Sequence, residues 1–393
     1  MKLMMKALPL AISVALVSTA HADEATDKKI AQLEQQVKSL QKQQTASLAD
    51  KFNFNGFISV GYQSADNSAG YNGATTSADF EQDSKLGFQG TFNISNQTQA
   101  VLQLMMRGDN DWEVEAEWAY ISHRFDNGLQ ARAGKLRVPL FMYSDYLDVG
   151  YAQPFARPPG EVYDQVPFSS YTGGDLSYDV EFEDSTLTMQ AFGGQSDVET
   201  DTVELDLSNV LGANISWTDL TWTLRGVYGQ TQLDGSLLDD GNAILPVNDE
   251  TATFTGVGGS YDNGSFIAIA EWTQMEIDGL LADNESGYIT LGYRINQFTP
   301  YVTAAYLKTT DEAERALPPL FPLALALNEE RTAYSVGVRW DAIDNVALKF
   351  DVTHATDFGD THGGLDNNPY DLLTGTFKYD STTVYSVKVD AVF

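Results

Sequence analysis

From Phe52 to the C-terminus, apolar and polar residues alternate with a period of two. Such alternation marks strands that bury one face and wet the other. Segments of roughly ten residues recur, each closed by a turn. They fall at 54–62, 85–94, 99–107, 112–125, 129–134, 176–182, 187–193 and 205–217. The rest fall at 222–232, 251–261, 266–276, 285–295, 299–308, 331–340, 346–356 and 382–393. In the first, Gly56, Ile58, Val60 and Tyr62 share a face. In the fourth, Val114, Ala116, Trp118 and Tyr120 are set against Glu113, Glu115 and Glu117.

The connections alternate in length. Asn96-Gln97, Asp126-Asn127-Gly128, Asp184-Ser185, Asp219, Asp262-Asn263-Gly264, Asn296-Gln297 and Asp341 to Asn345 have the residues tight turns demand. The other connections are mostly long and polar. An even number of two-residue-period strands with short and long connections in alternation predicts an all-β fold: a closed antiparallel transmembrane β-barrel of about sixteen strands. On that reading the polar faces point into a wet lumen, and closure satisfies the backbone in lipid. Trp217, Trp222, Trp272, Trp340, Tyr120, Tyr293 and Phe298 then belong to interfacial girdles.

The third long connection, about 136–175, is different. It contains Pro139, Pro154, Pro158, Pro159 and Pro167, which argue against a central strand. It also contains Phe141, Tyr143, Tyr146, Tyr151, Phe155, Tyr163, Phe168 and Tyr171. So much aromatic surface predicts a loop packed inside the barrel, wedged against the wall, rather than one in solvent. Residues 234–249, 277–284 and 357–371 read as acidic outer loops facing lipopolysaccharide. Residues 311–328 form an apolar outer loop with three readings: a cover over the pore mouth, a contact with a neighbouring subunit, or a ligand site.

The first 51 residues follow other rules. Lys2 and Lys6, an apolar run from Ala7 to Ser18, and Ala20-His21-Ala22 make a secretory signal peptide over 1–22, cleaved after Ala22. Over 23–51, Ile30, Leu33, Val37 and Leu40 occupy a and d positions of a short heptad pattern, which predicts a periplasmic coiled-coil segment. A lone helix of that length is marginal, so it gains by association with its own copies.

The net charge of −32 excludes a nucleic-acid partner. There is no cysteine, and the histidines lack metal-ligand spacing, so no metal or cofactor is implied. No nucleophile elbow or phosphate-cradling glycine loop occurs, and no enzyme is expected.

The chain ends TTVYSVKVDAVF, with Tyr385, Val387, Val389 and Phe393 at alternating positions. A terminal Phe after such a run resembles the assembly signal of bacterial outer-membrane barrels. With the strand count and the long third loop, the whole pattern resembles the Gram-negative general porins. The resemblance implies a water-filled channel for passive diffusion of small hydrophilic solutes and ions. It also implies a homotrimer in the outer membrane, inserted by the barrel-assembly machinery. The loop departs from the family: Arg157-Pro158-Pro159-Gly160-Glu161 stands where porins carry a Pro-Glu-Phe-Gly-Gly-like turn. The N-terminal heptads resemble those in front of substrate-specific porins, so a sugar or carboxylate channel is the alternative. An envelope-anchoring barrel is a third reading.

In an inward-folded loop, Asp145, Asp148, Glu161 and Asp164 are the candidate constriction acids. The facing wall bases are Arg107, Arg132, Arg225, Arg294 and Arg339, with Lys349 and Lys388. Glu113, Glu115 and Glu117 are wall acids. Opposed charges across a narrow pore make a transverse field, and a lumen and mouth this acidic predict cation preference.

Overall fold

The computed structural model describes residues 35–38, 51–200, 202–239, 242–311, 315 and 327–393. Two units separate, Met1–Lys51 and Phe52–Phe393. In the first, residues 35–38 are helical and Val37 is exposed. The signal segment, Ile30, Leu33 and Leu40 lie outside the described residues, as does most of 311–328.

The second unit is a closed barrel. Its first half comprises β1 (Phe52–Ala65), β2 (Lys85–Asn93), β3 (Thr98–Arg107), β4 (Val114–Arg124), β5 (Gln130–Arg137), β6 (Ser170–Glu181), β7 (Thr186–Glu199) and β8 (Val203–Thr218). The second half comprises β9 (Trp222–Asp239), β10 (Asn242–Asp262), β11 (Phe266–Ile277), β12 (Asn284–Tyr293), β13 (Phe298–Thr309), β14 (Glu330–Ile343) and β15 (Val346–Thr356). A two-residue ladder, β16 (Tyr370–Asp371) with β17 (Thr376–Phe377), sits in the last long connection. The last strand, β18 (Thr382–Val392), lies between β15 and β1 and closes the ring. All barrel neighbours are antiparallel, so no edge is left to pair with another chain. At the seam, Phe393 and Gly56 exchange backbone hydrogen bonds of 2.9 and 2.8 Å.

The two faces separate as the alternation demands. Leu291, Val302 and Val336 lie side by side on β12–β14 and are 39%, 50% and 63% exposed. The neighbouring register faces inward: Thr290 and Thr303 share a hydroxyl hydrogen bond of 2.8 Å, and Ser335 and Thr353 one of 2.7 Å. Tyr385, Val387, Val389 and Phe393 are outward and exposed.

Three expectations need correction. First, β7 to β10 are 14, 16, 18 and 21 residues long, beyond the ten or so that span a bilayer. Most of 234–249 is therefore strand, not loop. Its acids read as an outer loop, but bulges at Ala243/Leu245 and Val247/Glu250 take up Ile244, Asn248 and Asp249 inside a ladder.

Second, β4 slips register against β3 between Gln103 and Leu104. The bulge inverts the phase after Glu117. Tyr120 thus leaves the outer girdle and packs on the buried core, under the Arg132 guanidinium at 5.4 Å.

Third, the lumen is not uniformly polar. Phe192, Val198, Leu205, Leu207, Val210, Val227, Leu233, Val247 and Phe254 are buried in one cluster with the third loop. Alternation alone does not say which solvent each face meets. Here both faces of β7–β10 bear apolar residues, because an apolar stretch of the loop borders the lumen beside them.

The outward belt yields a test. Val302→Arg on β13 should cost about 2–4 kcal/mol in urea unfolding from lipid vesicles, as a cation near the bilayer midplane does. Val302→Leu should be close to neutral. An equal response to both would mean that this row does not face lipid.

Candidate functional site

The third loop, 138–169, has no long helix or strand to satisfy its own backbone. It contains short 3-10 turns at Ser144–Tyr146 and Gly150–Ala152 and one helical turn, Gly160–Tyr163. Its unpaired carbonyls are met by cations from the wall. On β9, Arg225 donates to Pro139 O at 2.5 Å. On β15, Lys349 donates to Gly150 O at 2.6 Å. On β14, Arg339 donates to Tyr151 O and Gln153 O at 2.6 and 2.9 Å. Lys388 on β18 reaches Ala156 O at 3.1 Å. A buried carbonyl without a partner costs about 1–3 kcal/mol, so these donors hold the loop in place.

Side-chain pairs add to this. Asp148 sits among Lys85 (3.0 Å), Arg107 (3.1 Å) and Arg137 (2.8 Å). Glu117 joins the same two arginines at 2.6 and 2.7 Å, and Glu115 meets Arg107 at 3.3 Å. Burial alone would raise the Asp148 pKa, but Lys85, Arg137 and Arg107 more than reverse that and hold it well below the usual carboxylate range. Arg157 grips Asp83, in the β1–β2 connection, with Nε at 3.0 Å and Nη2 at 2.5 Å. It also reaches Gln63 Oε1 on β1. Asp83 would also rise on burial, and the Arg157 charge instead brings it down to about 2.

Glu161 is fully buried against Arg331 of β14 at 2.7 Å and accepts from Tyr71, in the β1–β2 connection, at 3.0 Å. The Arg331 guanidinium covers the Tyr71 ring at 5.5 Å. Glu271 on β11 accepts from the Met142 amide (2.8 Å) and the Tyr163 hydroxyl (2.7 Å). The Tyr301 hydroxyl of β13 accepts from the Ala156 amide (2.9 Å) and donates to Asp351 (2.7 Å). At Gly258 of β10 the Met142 side chain occupies the space a Cβ would take.

The loop is thus bonded to strands β1, β2, β3, β5, β9, β11, β13, β14, β15 and β18. Of the four acids expected at a constriction, Asp148 and Glu161 are spent in buried pairs. Asp145 and Asp164 are exposed, with no ion pair among the described residues. Of the bases, Arg107, Arg225 and Arg339 bind the loop. Arg132 instead chelates Asp175 on β6 at 2.6–3.0 Å. Arg294 pairs with Asp262 at the short-turn end, away from the loop. Glu113 is exposed just before β4.

The residues that sequence reasoning missed are Lys85, Arg137, Arg331, Asp83 and Tyr301. Arg331 shares its phase with Arg339, so alternation could have found it. Arg137 read as loop, and only the extension of β5 places it on the wall.

The Asp83–Arg157 pair has a definite pH signature. A depressed carboxylate stabilises the folded state fully above its unfolded pKa, near 3.8, and stops doing so as pH falls through about 2. Asp83→Asn should lower stability at pH 7 by about 2 kcal/mol in urea unfolding. The gap between the two chains should close from about pH 4 to pH 2. A gap that is constant with pH would show that the pair does not hold the loop through charge.

Residues 10–380 match the family model for Gram-negative porins. Among curated proteins, none matches this sequence. Solved structures share the fold at low identity. OmpF of Salmonella typhi, in a complex with daunomycin, is 11% identical, with TM-score 0.57 over 87% of this chain and 97% of that one. In-vitro folded OmpT of Vibrio cholerae, in its trimer form, is 12% identical, with TM-score 0.54 over 87% and 99%. An anion-selective porin from Comamonas acidovorans is 12% identical, with TM-score 0.53 over 87% and 99%. A closed barrel with an apolar outer belt and a loop crossing its lumen, matched over most of its length by the family model, belongs to the Gram-negative porin family of outer-membrane channels.

Proposed function

We propose that this porin is a narrow passive channel for small hydrophilic solutes, with its third loop as a fixed obstruction rather than a partial constriction. One observation carries the proposal: the loop is bonded to wall strands around most of the barrel, by charges and by carbonyl contacts on both sides of the lumen. A sixteen-strand barrel is otherwise wide enough for an open aqueous channel.

The protein works in the outer membrane as a homotrimer. The signal segment directs export and the heptads at 23–51 organise the trimer from the periplasm. Tyr385, Val387, Val389 and Phe393 serve as the assembly signal, and lipopolysaccharide surrounds the outer loops. The trimer form of the Vibrio cholerae neighbour supports the oligomer.

Cation preference rests on the net charge of −32 and on the exposed acids Glu113, Asp145 and Asp164. The Comamonas acidovorans neighbour is anion-selective, so the shared barrel accommodates either sign and the charges of each chain decide.

Planar-bilayer recording under a KCl gradient tests both points. The wild type should show small steps, with a reversal potential directed to the cation. Joint Asp148→Asn and Glu161→Gln removes one partner from each of two buried ion pairs, which costs about 3–5 kcal/mol apiece and should free the loop. The steps of that variant should be larger. Large wild-type steps that the double variant leaves unchanged would remove the fixed-obstruction reading. An anion-directed potential would remove the cation preference.

A further inference from the structure

Between the loop and the long strands lies a second feature, which ion conduction does not use. Val138, Leu140, Val166 and Phe168 of the loop face the inward side of β7 to β10 across a cavity of 320 Å³. Its far wall is built by Leu205, Leu207, Leu233 and Phe254, all buried. A lumen built only for hydrophilic solutes has no use for this surface. Keeping a largely apolar space open also costs stability, since close packing would regain both contacts and burial.

The lining specifies chemistry. Among the described lining residues there is no Lys or Arg, and Glu329 at the rim is the one ionised group. The remaining polar groups are neutral: Gln165, Gln230, Thr231, Thr253 and Asn284. A mostly apolar wall with a few neutral hydrogen-bonding groups is the usual make-up of a small-molecule site. An anion would find no partner and would face Glu329. A cavity of about 150 Å³ holds benzene, so this one accommodates roughly two rings. The cavity adjoins the polar chamber beside Arg107, Arg137 and Asp148, since both spaces are lined by Val138, Leu140, Val166, Pro167 and Phe168.

We infer that this cavity is a binding site for an uncharged, largely apolar small molecule of about two rings carrying a hydroxyl or amide-like group. It lies on the long-loop side of the lumen, where β7–β10 run beyond the bilayer. Occupancy would add bulk next to the loop segment Gln165–Phe168, whose neighbours across the cavity are mostly apolar.

The probe is 1-naphthol, neutral at pH 7, titrated calorimetrically into the full chain in lipid nanodiscs, with empty nanodiscs as the blank. Saturable binding above the blank is expected. Ala252→Phe, which fills the cavity from β10, should weaken it at least about tenfold, the factor that 1.4 kcal/mol represents. Leu207→Asn should weaken it by a similar factor, through a different wall and without added bulk. Circular dichroism confirms that each variant keeps its barrel. Naphthalene-1-sulfonate, an anion of similar size, should not bind. No saturable 1-naphthol binding, or binding that both variants leave intact, would overturn the site. Equal affinity for the sulfonate would overturn the ligand class. Conductance is recorded separately, so failure of the site and failure of the channel proposal are distinguishable.

Discussion

Every backbone amide in the bilayer must find a partner within the protein, and that constraint orders the rest of this structure. The pairing of β18 with β1 is where it is met, since without that seam two strand edges would face lipid. Once the ring is closed, the period of two fixes the faces except where a bulge shifts the phase. One face of each strand is committed to lipid and the other to the lumen. The terminal Phe393 then has a mechanical place: its backbone joins Gly56 at the start of the ring, and its ring lies 5.9 Å from that of Phe88 on β2.

The same constraint explains the loop. A segment with five prolines and only short helical turns brings carbonyls into the lumen that no neighbouring strand can satisfy. The wall answers with Arg225, Arg339, Lys349 and Lys388, whose heads serve as hydrogen-bond donors to backbone. Lys349 is fully buried, held between Gly150 O and Asp390. These bases looked from sequence like electrodes for a transverse field. Their geometry gives them a positioning role as well.

The strands were legible because lipid and lumen impose opposite chemistries on alternate residues, and that leaves a trace in every ten-residue window. The loop was legible because prolines and aromatics together fit neither a strand nor a solvent-exposed turn. Partners were not legible. Nothing in the one-dimensional order joins Asp148 to Lys85, or Glu161 to Arg331 and Tyr71. The phase inversion at Glu117 was hidden too, since a bulge adds one residue without any compositional mark and silently moves Tyr120 across the wall. The apolar lumen at Leu205, Leu207 and Leu233 was missed for a related reason: when both faces of a strand are apolar, alternation no longer distinguishes inside from outside.

What a passing ion meets depends on how the charge is distributed as well as on its total. Beside the loop, Lys85, Arg107 and Arg137 stand against Glu115, Glu117 and Asp148, sign for sign. Arg157 is matched by Asp83, Arg331 by Glu161, and Lys349 by Asp390. Pairs this close largely cancel at the distance of a passing ion, which leaves Asp145 and Asp164 as the loop's carboxylates without an ion pair among the described residues. Other exposed carboxylates, such as Glu113, lie in the connections, where salt screens them beyond about 10 Å at 0.1 M. A cation preference generated there would act by raising the local concentration of cations at the entrance, and it would weaken as ionic strength rises. A filter built into the loop would not.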